Sequence, residues 1–280
     1  MHDPRLMYEF LQPWVRQGVL GESTTFLNFG YWKDEPATWD EAARALARLL
    51  GEAANLGSDL EVLDVGFGYG DQDLLWTEQF APRRIVGLNV TESQVTSARR
   101  RVAAAGMSGR IDLRLGSAVE CPFEDDSFDR VLALESAMHF PTRERFFREA
   151  FRVLRSGGRL ALADITLMPS VGASTGGTAR SWMDAMVGQV PLENQYDADE
   201  YRALLRSAGF RRVSVRSIRE HVFGGLQEHL VRRTASALQR WNPLLGSVPA
   251  LLTTYAYASR MCGDAFFSRY DYVIASADKD

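Results

Sequence analysis

Residues 61–70, Glu61-Val62-Leu63-Asp64-Val65-Gly66-Phe67-Gly68-Tyr69-Gly70, decide how the rest of the chain is read. Val62 to Val65 is a short apolar run interrupted by one acid, the pattern of a buried strand, and three glycines follow at alternate positions. Glycines spaced in this way let the chain turn sharply after the strand. They also leave the backbone bare of Cβ atoms, so that a ligand can lie against it. The next residues, Asp71 to Phe80, can open a helix whose free N–H groups point at that ligand. A strand–turn–helix unit of this kind suits a nucleoside-like cofactor.

Working outward, Trp39 to Ala54 carries apolar residues at helical spacing and leads into the strand. Downstream the pattern alternates. Strands are expected at 85–88, 111–115, 131–134 and 160–165, and helices at 93–105 and 143–154, with Ser156-Gly-Gly158 read as a helix stop before the next strand. Such alternation predicts an α/β fold with a doubly wound, mostly parallel sheet. After Ile165 the rhythm breaks. Residues 168–177 are rich in Pro, Gly, Ser and Thr, and the stretch to about Asn194 reads as a lid. A helix at 199–208, a strand at 213–218, a helical stretch at 226–241 and a last strand at 270–275 follow. The expected organisation is a helical N-terminal segment (1–55), a cofactor-binding core (56–165), lid and acceptor-binding insertions with a sixth strand (166–265), and a final strand (266–280).

With 280 residues, 46% hydrophobic and 24% charged, the chain has the material for one sizeable core. A net charge of −4 gives no general pull toward nucleic acid or an anionic membrane, and the one basic run, Arg99-Arg100-Arg101, reads as a solvated helix face. Two distant cysteines, Cys121 and Cys262, lack metal-ligand spacing, so no zinc site and no disulfide framework are expected. No stretch approaches the ~20 apolar residues of a membrane span, and the N-terminus does not read as a leader, so the expected location is cytoplasmic without stable membrane insertion. A homodimer is compatible with such a chain.

Ligands in open parallel sheets bind beyond the carboxyl ends of the strands, so the residues there belong together. They are Asp64 with Gly66, Gly68 and Gly70; Asn89; Gly116-Ser117-Ala118; Glu135-Ser136 with His139; and Asp164. A nicotinamide dinucleotide site wants G-x-G-x-x-G and an acid after the second strand; this chain has G-x-G-x-G and the neutral Asn89. An NAD(P)-dependent oxidoreductase is therefore the weaker reading, and no Walker pattern supports phosphate chemistry.

Asp64 to Gly70, Gly116 to Asp129 (GSAVECPFEDDSFD) and Phe147 to Asp164 (FREAFRVLRSGGRLALAD) resemble the class I S-adenosylmethionine-dependent methyltransferases. Asn28 to Trp32 (NFGYW) narrows the resemblance to the small-molecule branch that includes tocopherol, sterol, fatty-acid and antibiotic-sugar methyltransferases. The resemblance implies a seven-stranded Rossmann-like methyltransferase fold with a helical lid, and S-adenosyl-L-methionine as cofactor. It places Gly66, Gly68 and Gly70 with Asp64 around the methionine end, Asn89 at the ribose, and Ser117 and Ala118 at the adenine, and it adds Phe67, Gln72, Val90 and Gln94 to the cofactor-binding residues. Glu135 and Ser136 line the floor. Ser117 stands where the family commonly has an Asp, and Asn89 where it often has Asp or Glu.

Methyl transfer from a sulfonium is an in-line displacement, so alignment and exclusion of water are the main tasks. A hydroxyl acceptor gains from a base near neutral pKa, which suits histidine. Of the four histidines only His139 follows the fourth strand, and Asp164 ends the neighbouring one. By resemblance to the antibiotic-sugar O-methyltransferases, His139 is the expected base and Asp164 its partner. Tyr31 and Trp32 can close over the cofactor cation, an attraction of ~0.5–2 kcal/mol, or simply pack the N-terminal segment. Met7, Phe10, Trp14, Trp182, Met186 and Phe223 are among the apolar candidates for the acceptor pocket, and no basic cluster awaits a nucleic acid. The expected activity is O-methylation of a hydroxyl or carboxyl on a hydrophobic small molecule of secondary or lipid metabolism. A carbon acceptor is the alternative.

Overall fold

The computed structural model describes residues 23–169, 191–229, 232 and 269–280. Of the acceptor-pocket candidates named above, all but Phe223 lie outside these residues, as does most of the helical stretch expected at 226–241.

Helix α1 (Trp39–Ala53) starts where Thr38 offers its hydroxyl to the Glu41 N–H (3.2 Å), and its apolar face, Ala42, Ala43, Leu46 and Leu50, is buried. Each fully buried leucine there contributes about 1.5–3 kcal/mol. Strand β1 (Glu61–Val65) then leads through the glycine turn to helix α2 (Asp71–Gln79). Strand β2 (Arg84–Asn89), helix α3 (Glu92–Ala104), strand β3 (Ile111–Leu115) and strand β4 (Phe128–Leu134) follow. A 3-10 turn at Ala137–His139 precedes helix α4 (Arg143–Val153), which runs directly into strand β5 (Leu154–Leu167). After a second 3-10 turn, Leu192–Asn194, come helix α5 (Ala198–Ser207), strand β6 (Arg211–Ser217) and strand β7 (Tyr270–Asp278).

The seven strands order as β3-β2-β1-β4-β5-β7-β6. β1 to β5 are parallel, and β7 enters antiparallel between β5 and β6. Strand residues alternate between two cores. Val62, Ile85, Leu132 and Ala161 face α1–α3, and Leu63, Val86, Val131 and Leu160 face α4 and α5. Coverage of both faces explains why the strands read as near-continuous apolar runs. The direction of winding reverses between β1 and β4, the position where open α/β sheets leave a crevice.

The expected helix stop at Ser156–Gly158 is instead part of β5. α4 passes into the strand without a loop, and the β4–β5 register shifts between Phe128 and Arg130 to absorb the extra residues. Gly157 takes a left-handed conformation (φ 78°) there, and its N–H donates to Lys279 O at 2.7 Å.

Candidate active site

The glycine turn is held from outside. Arg101 of α3 donates to the Tyr69 carbonyl (2.7 Å) and to both oxygens of Asp71 (2.6 and 2.7 Å), and also reaches the Thr25 hydroxyl (2.6 Å). The basic run is thus not simply a solvated face. The Arg101 side chain is 31% exposed, and it ties the turn to both α3 and the segment before α1. All three glycines have φ between 55° and 82°, a region costly for residues with a Cβ. Their surroundings differ, however. A Cβ on Gly66 would stand 2.3 Å from Ser136 Cβ, whereas on Gly68 it would meet only Leu27 Cδ1, at 3.9 Å. Gly66 therefore lets β1 close against β4, where Ser136 Oγ donates to Val65 O (2.6 Å), and Gly68 is the residue whose bare backbone faces open space.

Around that space several polar groups are buried without a matched partner. Asp64 is fully buried, and among the described residues no donor meets either of its oxygens in good hydrogen-bond geometry. Burial first, then the neighbouring Asp73 carboxylate, hold its pKa well above the ordinary carboxylate value. Asp73, equally buried, is pushed up to about 7 by burial. The buried Gln72 side chain lies near enough to pull the Asp64 pKa back down, without a well-formed hydrogen bond. A cationic ammonium would supply the missing charge. At the end of β2, Asn89 spends its carbonyl on the Thr91 N–H (3.0 Å) and donates to Gln94 Oε1 (2.9 Å), so it braces its own turn. Gln94 Nε2, 3% exposed as a residue, has no acceptor among the described residues, which leaves it a free donor at this corner. Val90 and Leu115 are the exposed large hydrophobics among the described residues, at 44% and 54%, and both sit at the carboxyl ends of paired strands. Ser117 accepts from the Val119 N–H (3.3 Å), and Ala118 beside it is buried. An open apolar lip beside buried donors and acceptors fits an adenosyl group bearing a charged amino acid.

On the other side of the crevice, Glu135 joins three parts of the chain. Its Oε1 accepts from the Phe29 N–H (2.8 Å) and the Tyr272 hydroxyl (2.6 Å), so the NFGYW segment and β7 meet at the end of β4. Burial pushes its pKa up to about 8, against the pull of those two donors. Trp32 is a core residue, 7% exposed. Its indole N–H donates to Phe29 O (2.9 Å), and its ring packs on His229 at 5.0 Å. Tyr31, partly buried, meets His221 edge to face at 5.5 Å. Of the two readings of these aromatics, packing of the N-terminal segment is the one Trp32 follows.

His139 ends the 3-10 turn after β4, partly buried, at the crevice edge. The expected pairing with Asp164 is not what engages that carboxylate. Arg143 Nε lies 2.9 Å from Asp164 Oδ2 and Arg143 Nη2 donates to Oδ1 at 3.0 Å. The Tyr201 hydroxyl reaches Oδ2 (3.0 Å) and the Ile165 N–H reaches Oδ1 (2.9 Å). Both oxygens are taken because a guanidinium with no exposed surface needs a counter-charge. Sequence reasoning missed Arg143, which stands among other charges in Arg143-Glu144-Arg145 with nothing to mark it as buried. Tyr272, Leu115 and Asn194 were equally unmarked.

A methyltransferase-domain family model matches residues 63–162. The chain is 39% identical over 218 residues to the erythromycin 3''-O-methyltransferase of Saccharopolyspora erythraea, spanning 76% of this chain and 71% of that one. It is 34% identical over 221 residues to the 27-O-demethylrifamycin SV methyltransferase of Amycolatopsis mediterranei, spanning 75% and 79%. The crystal structure of the [4+2]-cyclase SpnF superposes with a TM-score of 0.72 at 25% identity, covering 98% of this chain and 94% of that one. The chain belongs to the S-adenosylmethionine-dependent methyltransferases. Its cofactor is S-adenosyl-L-methionine, as the orphaned Asp64 and Gln94 groups and the open face of Gly68 accommodate. The nicotinamide alternative is set aside on the same grounds. Among the described residues no helix is long and apolar enough to cross a membrane, and no cluster of side chains could hold a metal ion.

Proposed function

We propose that the protein methylates a hydroxyl of a hydrophobic small molecule of secondary metabolism, with His139 taking the proton of that hydroxyl. The observation that carries this reading is the position of His139, in a turn rooted at the carboxyl end of β4, the end of the sheet at which Asp64, Gly68 and Gln94 also stand. The relatives named for O-methylation of erythromycin and of a demethylrifamycin support an oxygen acceptor. When bound, S-adenosylmethionine supplies an electrophilic methyl and a neutral thioether leaving group. The chain's part is to fix the methionine end of the cofactor through Asp64 and the bare backbone at Gly68, to keep water out beneath the NFGYW segment, and to hold the imidazole ready for one proton. Asp164 serves Arg143 rather than the imidazole in this reading. Asn89 shapes the ribose corner and Gln94 donates there; Val90, Leu115 and Ala118 border the adenine. Work on a soluble metabolite inside the cell suits such a site.

The test is His139→Ala, assayed with labelled S-adenosylmethionine on 27-O-demethylrifamycin SV and on a metabolite extract of the source organism. Loss of turnover by about 10²–10⁴-fold, with cofactor affinity unchanged, is the expected result. Undiminished turnover would remove the base and point to an already ionised carboxyl acceptor.

A further inference from the structure

We infer that Asn194 is a positioning residue for His139, an inference that rests on the reading of His139 as the base. Asn194 ends the 3-10 turn Leu192–Asn194, on the far side of residues 166–190 in sequence, and its side chain is almost wholly buried. Its Nδ2 donates to Met138 O (3.1 Å) and to Phe140 O (2.8 Å), the carbonyls immediately before and after His139. Its Oδ1 accepts from the Arg143 N–H (2.8 Å) at the first residue of α4, and its own carbonyl accepts from Arg143 Nη1 (2.6 Å). Both amide protons and the amide oxygen are therefore spent on the backbone that carries the imidazole.

The turn needs such support. A 3-10 turn of three residues is a weak element, held from within by the His139 N–H to Ser136 O (3.0 Å) and the Phe140 N–H to Ala137 O (3.2 Å). Asn194 adds two cross-chain bonds that clamp His139 on both sides. Behind it, Arg143 is fixed by Asp164 and by Ile165 O (2.6 Å), with the rings of Tyr196 and Tyr201 at 5.1 and 5.5 Å from its guanidinium carbon. A continuous buried chain thus runs from the end of β5 through Arg143 and Asn194 to the turn that carries His139. An amide suits this place where a carboxylate does not: two carbonyl oxygens require two donors, and aspartate offers none.

Histidine-selective ¹³C NMR of the full-length protein with bound S-adenosylhomocysteine tests the inference without any acceptor. The His139 ring signal is assigned as the one missing from His139→Ala. Asn194→Asp keeps the volume and the oxygen facing the Arg143 N–H but loses both donors, and Asn194→Ala removes the whole clamp. In each variant the His139 signal is expected to move by more than its linewidth or to split, while those of His2 and His221 stay in place. A His139 signal unchanged in either folded variant overturns the inference; so does an equal displacement of all the histidine signals, which would mark general loosening. The base assignment stands or falls separately, on the turnover of His139→Ala.

Discussion

Arg143 and Asp164, neither with any exposed side-chain surface, form an ion pair of 2.9 Å between the first turn of α4 and the end of β5. Removing one member leaves the other charged and uncompensated in the core. Asp164→Ala is expected to cost about 3–5 kcal/mol of unfolding free energy, and Arg143→Met with Asp164→Leu together much less than either change alone. Urea unfolding of the three variants checks this; a loss below about 1 kcal/mol for Asp164→Ala would refute the structural role given to the pair.

Arg101 supports the cofactor turn from behind, through Asp71 and the Tyr69 carbonyl. Arg101→Gln removes a bidentate charged contact and is expected to weaken cofactor binding by about five- to thirtyfold, on the order of 1–2 kcal/mol. Calorimetric titration with S-adenosylhomocysteine measures it. Unchanged affinity would mean that the turn holds its shape without the arginine.

Two glycines of the turn should respond differently to the same change. Gly66→Ala drives a methyl into Ser136 and is expected to destabilise the fold by about 2 kcal/mol or more. Gly68→Ala meets open space, so its thermal stability should fall less, by about 1–2 kcal/mol for the left-handed backbone, while cofactor affinity drops more steeply. Melting curves with and without S-adenosylhomocysteine separate the two effects. Equal responses of both variants would contradict the assignment.

Stability should also depend on pH in a defined direction. Asp73 at about 7 and Glu135 at about 8 sit above the values of an unfolded chain, so the folded state binds more protons than the unfolded one across neutral pH. The stabilisation from their neutral forms is fully present below about pH 4, where the unfolded carboxyls are protonated too, and is lost progressively as pH rises from there through 7 to 8. Asp73→Asn, which stays neutral, should therefore show a flatter decline in melting temperature between about pH 4 and 7, the interval between the unfolded and folded values of Asp73. The opposite sign operates in acid. Asp112, Glu149 and Asp278 are held below the usual carboxylate range by arginines, and their contribution disappears as pH falls through those lowered values.

The alternation of apolar runs with helical periodicity was enough to predict a mostly parallel sheet, because strands covered on both faces must be apolar throughout. The seven strands lie where that pattern put them, to within about three residues at their ends except for β5, which begins at Leu154 rather than Leu160. The α4–β5 junction departs from the expected helix stop because Ser156-Gly-Gly158 serves a strand bulge equally well. The glycine turn was legible for the same local reason that the strands were, since only glycine tolerates that backbone. Whether a given glycine faces a ligand or a neighbouring strand was not legible, because Ser136 lies 70 positions from Gly66 in the chain.

The sequence by itself determined the architecture and a nucleoside-like cofactor, since both follow from short-range pattern: periodicity of 2 or 3.6, and a turn chemistry that few residue types can perform; the resemblance of its motifs to a known family then named the cofactor. Tertiary structure alone decided the partners of charged and amide side chains. Asp164 stands beside His139 in motif logic, yet it pairs with Arg143, and Asn194 returns from beyond residues 166–190 to hold the turn that carries His139. Burial is the physical reason. A guanidinium taken out of water claims the nearest carboxylate whatever its sequence separation, and no local pattern announces which arginine will be buried.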